Sequence, residues 1–359
     1  MSSTAREPRL VRLLLAVYVL LIVYASLHPL NGWRDPGGSP LAFLAAPWPR
    51  YVTAFDLAAN ILGYLPFGLL CVLALGPERG ALRLVGLAAL LGGALSLLLE
   101  TVQSYLPARI ASNVDLISNL GGAAAGALLG AWLGPVLRRV ELGQRLRAQA
   151  FMPGLVADLG LVLLVLWLFA QLDPATLLFG TGDLRDLFDP RVGERHPAQL
   201  FVSAEAATTA ANLAAVALLA SAGMRPGAPV LRMLAALLLL ALAVKTLAFA
   251  ILMRAEHVFA WLTPGAQLGL ALGAAIVLAA VWLPRTARLA LGAMLLMAAT
   301  VLVNLAPPNP YLAATLKVWE QGHFLNFNGL TRLVSATWPF AALGYLVWIA
   351  SGRLRDPVR

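Results

Sequence analysis

Apolar runs of membrane-spanning length recur along the whole chain, and they leave few folds open to it. A helix needs about 20 mostly apolar residues to cross the hydrocarbon core of a bilayer. We find ten such runs in the 359 residues: 10–29, 54–75, 83–104, 115–137, 154–172, 205–223, 231–252, 265–283, 288–306 and 333–350. Only 12% of the residues are charged, so composition indicates a polytopic membrane protein and excludes a soluble domain.

These runs predict an all-α transmembrane helix bundle of about ten spans. Backbone groups in hydrocarbon need partners within the protein, which helices supply, and the runs lack the alternation of barrel strands. Arginines concentrate in the short segments that face the cytoplasm if the N-terminus is inside, such as 138–147 and 225–232. The excess of positive charge on one side therefore predicts that both termini are cytoplasmic.

The order of the runs suggests two membrane domains. Residues 10–137 form a four-helix membrane domain, residues 138–153 a basic cytoplasmic linker, and residues 154–359 a six-helix membrane extension. The net charge of +9 is spread over short loops, with no basic patch interleaved with aromatic residues, so we expect no nucleic-acid partner. Cys71 is the single cysteine, which excludes an internal disulfide.

Polar side chains cluster at the predicted outer ends of spans two, three and four. Helical spacing of three or four residues puts several of them on shared faces. The candidate ligand-binding residues are Asp56, Asn60, Glu100, Gln103, Arg109, Asp115 and Asn119. The pattern predicts an outward-facing polar pocket just below the outer headgroups.

Two structural interpretations stay open beside this pocket. Asp56 and Asp115 occupy helix starts, where aspartate caps the first turn. The amides and carboxylates also suit hydrogen bonding between helices, which contributes roughly 0.6 kcal/mol per pair in membranes. Capping explains Asn60, Glu100 and Asn119 poorly, because these residues lie a turn or more inside their helices.

Small residues predict close packing next to this cluster. Gly122, Gly126 and Gly130 form a line with a period of four on the fourth span, which lets another backbone approach. In the second span, Pro66 lies between Gly63 and Gly68 and predicts a kink.

Chemistry beyond binding has few candidates. Asp56, Glu100 and Asp115 offer oxygen ligands to a hard cation, but Arg109 beside them argues against a metal, and we expect no metal or cofactor. Glu100 or Asp115 is the candidate general base of an enzyme, although no nucleophile stands out.

One intramembrane lysine and one aspartate lie outside the cluster. Lys245 either extends its ammonium to the interface or pairs with an acid such as Glu205. Asp158 is interpreted as a simple helix-end residue.

The polar cluster is similar to a known family. The spacings Asp56-x3-Asn60-x3-Tyr64-x-Pro66-x-Gly68 and Glu100-x2-Gln103-x5-Arg109-x5-Asp115-x3-Asn119-x2-Gly122-x3-Gly126, with YASLHP at 24–29, resemble the VanZ-like family of bacterial membrane proteins. The resemblance covers about residues 10–137 and does not extend to 154–359. It implies a multi-pass protein of the inner (plasma) membrane in the cell envelope, in a family associated with resistance to the antibiotic teicoplanin.

Our leading hypothesis is that the pocket recognises the polar head of an envelope lipid, or of a lipid-linked glycan or cell-wall precursor. A membrane-embedded envelope transferase that uses Glu100 or Asp115 as general base is the alternative. A proton-coupled transporter, in which Lys245 and Asp158 would mark a path to the inner side, is a further alternative.

Overall fold

The computed structural model describes residues 8–49, 51–76, 80–140, 147–185, 198–252, 257–307 and 325–352. Within these ranges all regular secondary structure is helical, which confirms the predicted all-α class. A short 3-10 turn spans Ala42–Ala45. The long helices are α1 (Pro8–Leu27), α2 (Ala54–Leu75), α3 (Ala81–Gln103), α4 (Asn113–Val140), α5 (Leu155–Ala170), α6 (Ala198–Ala222), α7 (Val230–Leu252), α8 (Pro264–Ala280), α9 (Arg285–Leu305) and α10 (Leu325–Ala350).

Eight helices in the described ranges are long and apolar enough to cross a membrane, and α5 and α8 are shorter apolar helices. Together with the composition, this supports a multi-pass membrane protein. The count of ten spans and the cytoplasmic position of both termini stay predictions.

The chain divides into two compact units, Met1–Leu146 and Arg147–Arg359. The division falls inside the predicted linker 138–153. Part of that linker, residues 141–146, lies outside the described residues. The first unit contains α1 to α4, and the second contains α5 to α10.

The first unit is organised around an unusually close crossing of α2 and α4. A Cβ atom added to Gly126 would lie 1.9 Å from the carbonyl oxygen of Leu65, and one added to Gly122 would lie 2.3 Å from that of Ile61. From the other side, a Cβ at Gly68 would lie 1.9 Å from the Ala123 oxygen. Only glycine permits this approach of the two backbones.

Further along the same contact, a Cβ at Gly130 would lie 3.2 Å from the carbonyl oxygen of Leu69, so the helices separate slightly there. α2 is a continuous helix through Pro66. The Tyr18 hydroxyl of α1 donates to the Gly63 carbonyl oxygen at 2.8 Å, so α1 supplies a partner to the backbone of α2 near the proline.

The central helix of the second unit is α6, in which every residue from Thr208 to Ala222 is buried. Gly269 of α8 brings that helix against Thr209, and Gly292 of α9 lies against Leu218. α6 begins at Ala198, earlier than the predicted start at residue 205. The first turns of α6 contain polar residues, so a search for long apolar runs does not include them.

Candidate functional site

The polar end of the first unit is formed by the C-terminal ends of α1 and α3 and the N-terminal ends of α2 and α4. The connection 28–53 crosses this end and is tied to the loop between α3 and α4. The Ser104 hydroxyl donates to the Pro40 carbonyl oxygen at 3.0 Å, and the Asn113 amide donates to the Ala46 oxygen at 2.8 Å. The connection therefore borders the predicted site.

Two of the predicted ligand-binding residues bind the last turn of α1. The Gln103 amide donates to the Ser26 carbonyl oxygen at 2.8 Å, and the Arg109 guanidinium donates from Nη2 to the Ala25 oxygen at 2.7 Å. Both carbonyls belong to a helix end that lacks further helical donors. These side chains therefore join α1 to the α3–α4 loop.

Glu100 is buried, with 4% of its surface exposed. Its Oε2 atom accepts a hydrogen bond from the backbone N–H of Ser112 at 2.8 Å. The negative charge of Asp115 and the positive charge of Arg109 both act on this carboxylate, with opposite effects. The arrangement ties α3 to the start of α4.

Asn119 lies deeper in the bundle and bonds across helices. Its amide nitrogen donates to the Ser96 hydroxyl oxygen at 3.0 Å, and its Oδ1 atom is buried with no hydrogen-bond partner. The Tyr64 hydroxyl from α2 interacts with Ser96 but makes no hydrogen bond of ordinary geometry. The Tyr64 hydroxyl and the Asn119 Oδ1 atom, both near Ser96, are thus buried without a hydrogen bond of ordinary geometry.

Asp56 is exposed and caps α2. Thr53 and Asp56 form a reciprocal capping box: the Thr53 hydroxyl accepts from the Asp56 backbone N–H at 3.1 Å, and Asp56 Oδ2 accepts from the Thr53 backbone N–H at 3.1 Å. Such a box satisfies two backbone donors at a helix start. The capping interpretation therefore holds for Asp56.

Asp115 occupies the first turn of α4 and is half-buried. It interacts with the side chain of Asn60 and with the charge of Asp56, both on α2. Asn60 is also half-buried. Three of the predicted residues therefore meet at a partly exposed rim between α2 and α4.

Arg109 adds positive charge next to Glu100, and His28 lies close enough to Arg109 to be affected by its charge. Burial lowers the pKa of the Arg109 guanidinium, and the nearby Glu100 carboxylate partly restores it. Burial and then the charge of Arg109 lower the pKa of His28, whose Nδ1 atom lies 3.1 Å from the Tyr24 hydroxyl. The Arg109 Nε atom is buried without a partner, so this cation keeps an unused donor.

Six of the seven predicted residues divide into two groups, and Arg109, which is half-buried and bonded to the Ala25 oxygen, belongs to neither. Glu100, Gln103 and Asn119 are buried and bonded within the protein, whereas the rim residues keep exposed surface. The structure has cavities of about 220 and 480 Å³. Residues of the second unit line both, so the pocket at the polar end stays a prediction. Among the described residues, no group of three or more His, Cys, Asp or Glu side chains is arranged to hold a metal.

The predicted set of site residues omitted the polar partners inside the bundle, although Tyr64 belongs to the motif that carries the family resemblance. Ser96 precedes Glu100 by one helical turn, and Tyr64 follows Asn60 by one turn, so the spacing of four that linked the other residues extends to both. Ser112 contributes its backbone N–H, for which a sequence carries no signal.

The second unit contains a second polar group, built on a buried irregular segment. Residues 178–182 are buried although they follow no helical pattern. Lys245 of α7 is fully buried, and its ammonium donates to the Asp173 carbonyl oxygen at 2.6 Å and to the Thr176 carbonyl and hydroxyl oxygens at 3.2 Å each. Non-helical backbone is tolerated within a membrane protein where other parts of the protein surround it and supply its hydrogen bonds.

Lys245 interacts with the charge of an acid, as one of the two alternatives predicted, but the acid is Asp173 and not Glu205. Its ammonium does not reach the interface, because the segment after α5 surrounds it. Glu205 instead accepts a short hydrogen bond from the Thr263 hydroxyl at the start of α8.

Asp158 is also more than a simple helix-end residue. It is buried and forms an ion pair with Arg147. The buried carboxylate thereby ties the segment that precedes α5 to the helix itself.

Comparison with known proteins bears on the first unit. Residues 11–134 match the model of the family described as VanZ/LLP1. Searches of curated proteins and of solved structures found no match. Residues 11–134 therefore form a VanZ-like domain, which confirms the resemblance carried by the motif, and the match does not extend to the second unit.

Proposed function

We propose that the polar end of the VanZ-like domain recognises the head group of an envelope lipid or of a lipid-linked glycan. The observation that supports this most directly is the meeting of Asp56, Asn60 and Asp115 at a partly exposed rim. Asn60 and Asp115 keep exposed surface that a ligand can reach, unlike the buried and bonded Gln103.

The contacts favour specific roles. The carboxylate of Asp115 and the amide of Asn60 suit the hydroxyl or amine groups of a head group. Arg109 is only half-buried, and guanidinium groups bind phosphate strongly. Gln103 and Asn119, which the sequence analysis named as candidate ligand-binding residues, bond to neighbouring helices instead.

The position of the rim suits an amphiphile. It lies at the ends of helices whose lengths and composition fit a membrane span, so a head group bound there leaves its hydrocarbon chain free to stay in the bilayer. Exposed aromatic residues of the connection 28–53, such as Trp33 and Trp48, fit a headgroup-level surface.

Binding to the purified full chain tests this proposal. Undecaprenyl phosphate, undecaprenol and phosphatidylethanolamine would be titrated into protein in nanodiscs, and bound lipid counted by native mass spectrometry. We expect Asp115→Asn to weaken binding of phosphatidylethanolamine, whose ammonium group the carboxylate would contact, about tenfold. Asp35→Asn is the control, because Asp35 is an exposed carboxylate of the same connection. Equal binding by Asp115→Asn and wild type would reject the proposal.

A cellular experiment asks whether the rim matters for the envelope. Lipids and wall precursors would be compared between a deletion strain and a strain carrying Asp115→Asn. We expect the two strains to share the same altered profile. New glycolipid masses that require Asp115 would point to a transferase instead.

A further inference from the structure

We propose that the second unit binds an anionic phospholipid, with an acyl chain in a groove between α5, α6 and α7 and the phosphate at Arg225. This site is separate from the polar end of the VanZ-like domain and does not depend on the function proposed for it.

The groove has a volume of about 220 Å³. Leu164 and Leu168 of α5 form one wall, Ala220 of α6 forms the floor, and Met233 and Leu237 of α7 form the other wall. The lining is apolar, and the volume is below the roughly 300–1,000 Å³ of sites for compact ligands. A segment of hydrocarbon chain fits this shape and chemistry.

One end of the groove is fixed by backbone pairing. Phe151 and Met224, which line that end, form an antiparallel bridge. The Met152 N–H donates to the Gly223 oxygen, and the Arg225 N–H donates to the Ala150 oxygen, both at 2.9 Å. The turn after α6 is thereby held against the segment before α5.

Arg225 is placed at the end of the groove by the same pairing. Its Nε atom donates to the Phe151 carbonyl oxygen at 3.1 Å, so the guanidinium lies beside a residue that lines the groove. Arg225 is exposed, and its two Nη atoms stay available to a phosphate, which guanidinium binds with two parallel hydrogen bonds.

The charge around this end is positive. The Arg285 guanidinium donates to the carbonyl oxygen of Ala222 at 3.4 Å. Ala222 precedes Arg225 by three residues. Asp158, the acid nearest to α5's start, is already paired with Arg147. No carboxylate within the described ranges pairs with Arg225 or Arg285.

These charges decide which lipid is preferred. A lipid tail gains little by moving from bilayer to groove, because both are equally apolar. Selectivity must therefore come from the head group. In the predicted topology this end faces the cytoplasm, where basic pockets between helices bind anionic lipids.

Native mass spectrometry of the full chain with added lipids tests the site. Phosphatidylglycerol and phosphatidylethanolamine with identical acyl chains would be compared. We expect wild type to prefer phosphatidylglycerol, and Arg225→Gln to lose about fivefold of that preference, equivalent to the ~1 kcal/mol of one basic residue near anionic lipid. Arg225→Lys keeps the charge but lacks the paired donors of the guanidinium, so it should retain part of the preference.

Two further arms separate the parts of the site. Ala220→Phe fills the groove and should reduce binding of both lipids. Arg83→Gln, an exposed arginine of the first unit, should change nothing. An unchanged preference in Arg225→Gln would overturn the proposal. So would wild-type levels of lipid in Ala220→Phe, or displacement of phosphatidylglycerol by millimolar inorganic phosphate.

Discussion

The buried carboxylate of Glu100 accepts a hydrogen bond from the backbone N–H of Ser112, 2.8 Å away. The two residues lie on opposite sides of the loop between α3 and α4. The bond therefore fixes the start of α4, and with it the position of Asp115 at the rim.

This bond predicts different outcomes for two substitutions. Glu100→Gln keeps an oxygen acceptor of similar shape, so the melting temperature should change little. Glu100→Ala leaves the Ser112 N–H without a partner and should cost about 1–3 kcal/mol of stability. Thermal unfolding of the purified full chain measures the difference. Identical melting of the two variants would show that the bond does not hold the loop.

The close crossing of α2 and α4 predicts that Gly126→Ala is strongly destabilising. The added methyl group would lie 1.9 Å from the Leu65 oxygen, so the helices must separate, at a typical cost of about 1–3 kcal/mol for overpacking. Gly121→Ala is the matched control, because nothing lies within 4 Å of a Cβ at that exposed position. Melting curves should place Gly121→Ala at or above wild type, and a similar loss in both variants would contradict the prediction.

Lys245→Met should destabilise the second unit by about 3–5 kcal/mol, the usual range when one member of a buried charge pair is removed. Two carbonyl oxygens and a hydroxyl would lose their donor, and the buried Asp173 would lose the opposing charge of Lys245. Adding Asp173→Asn should recover part of this loss, because the two residues are coupled. Thr246→Ala serves as the control, since its hydroxyl bonds only within α7. Protease sensitivity at 173–185 and the melting temperature report the change.

His28 predicts a pH dependence of the first unit. Its pKa is lowered in the folded protein, below an ordinary value of about 6.5. As pH falls through that value the unfolded chain takes up the proton first, so the contribution of His28 to stability is complete above it and declines below it. The melting temperature of wild type should therefore fall more steeply than that of His28→Asn between pH 7 and 5. Parallel curves would mean that His28 is solvated as in the unfolded chain.

The helices were predictable because length and apolarity alone decide which segments fit a membrane. The roles of the polar residues were only partly predictable. Asp115 and Asn119 share a helix face, as their spacing indicates, yet one reaches the rim and the other bonds to Ser96 inside the bundle. Helical periodicity gives the direction of a side chain but not the depth at which a partner will meet it.

The irregular segment after α5 shows why the remainder could not be predicted. Its composition, with proline, glycine and threonine, is typical of an exposed loop. It is buried because side chains far along the chain, such as Lys245 and Asn304, bond to its carbonyl oxygens. The sequence of the segment itself does not indicate that such distant residues will bond to it.

That dependence on distant partners has a consequence during synthesis. Residues 173–182 leave the ribosome long before Lys245, Asn304 and Ser335, whose contacts satisfy their backbone. Until α7, α9 and α10 are in place, these peptide groups need hydrogen bonds to water, because hydrocarbon supplies no hydrogen-bond partners. The backbone of the segment is therefore fully paired only when all three of these helices are in place.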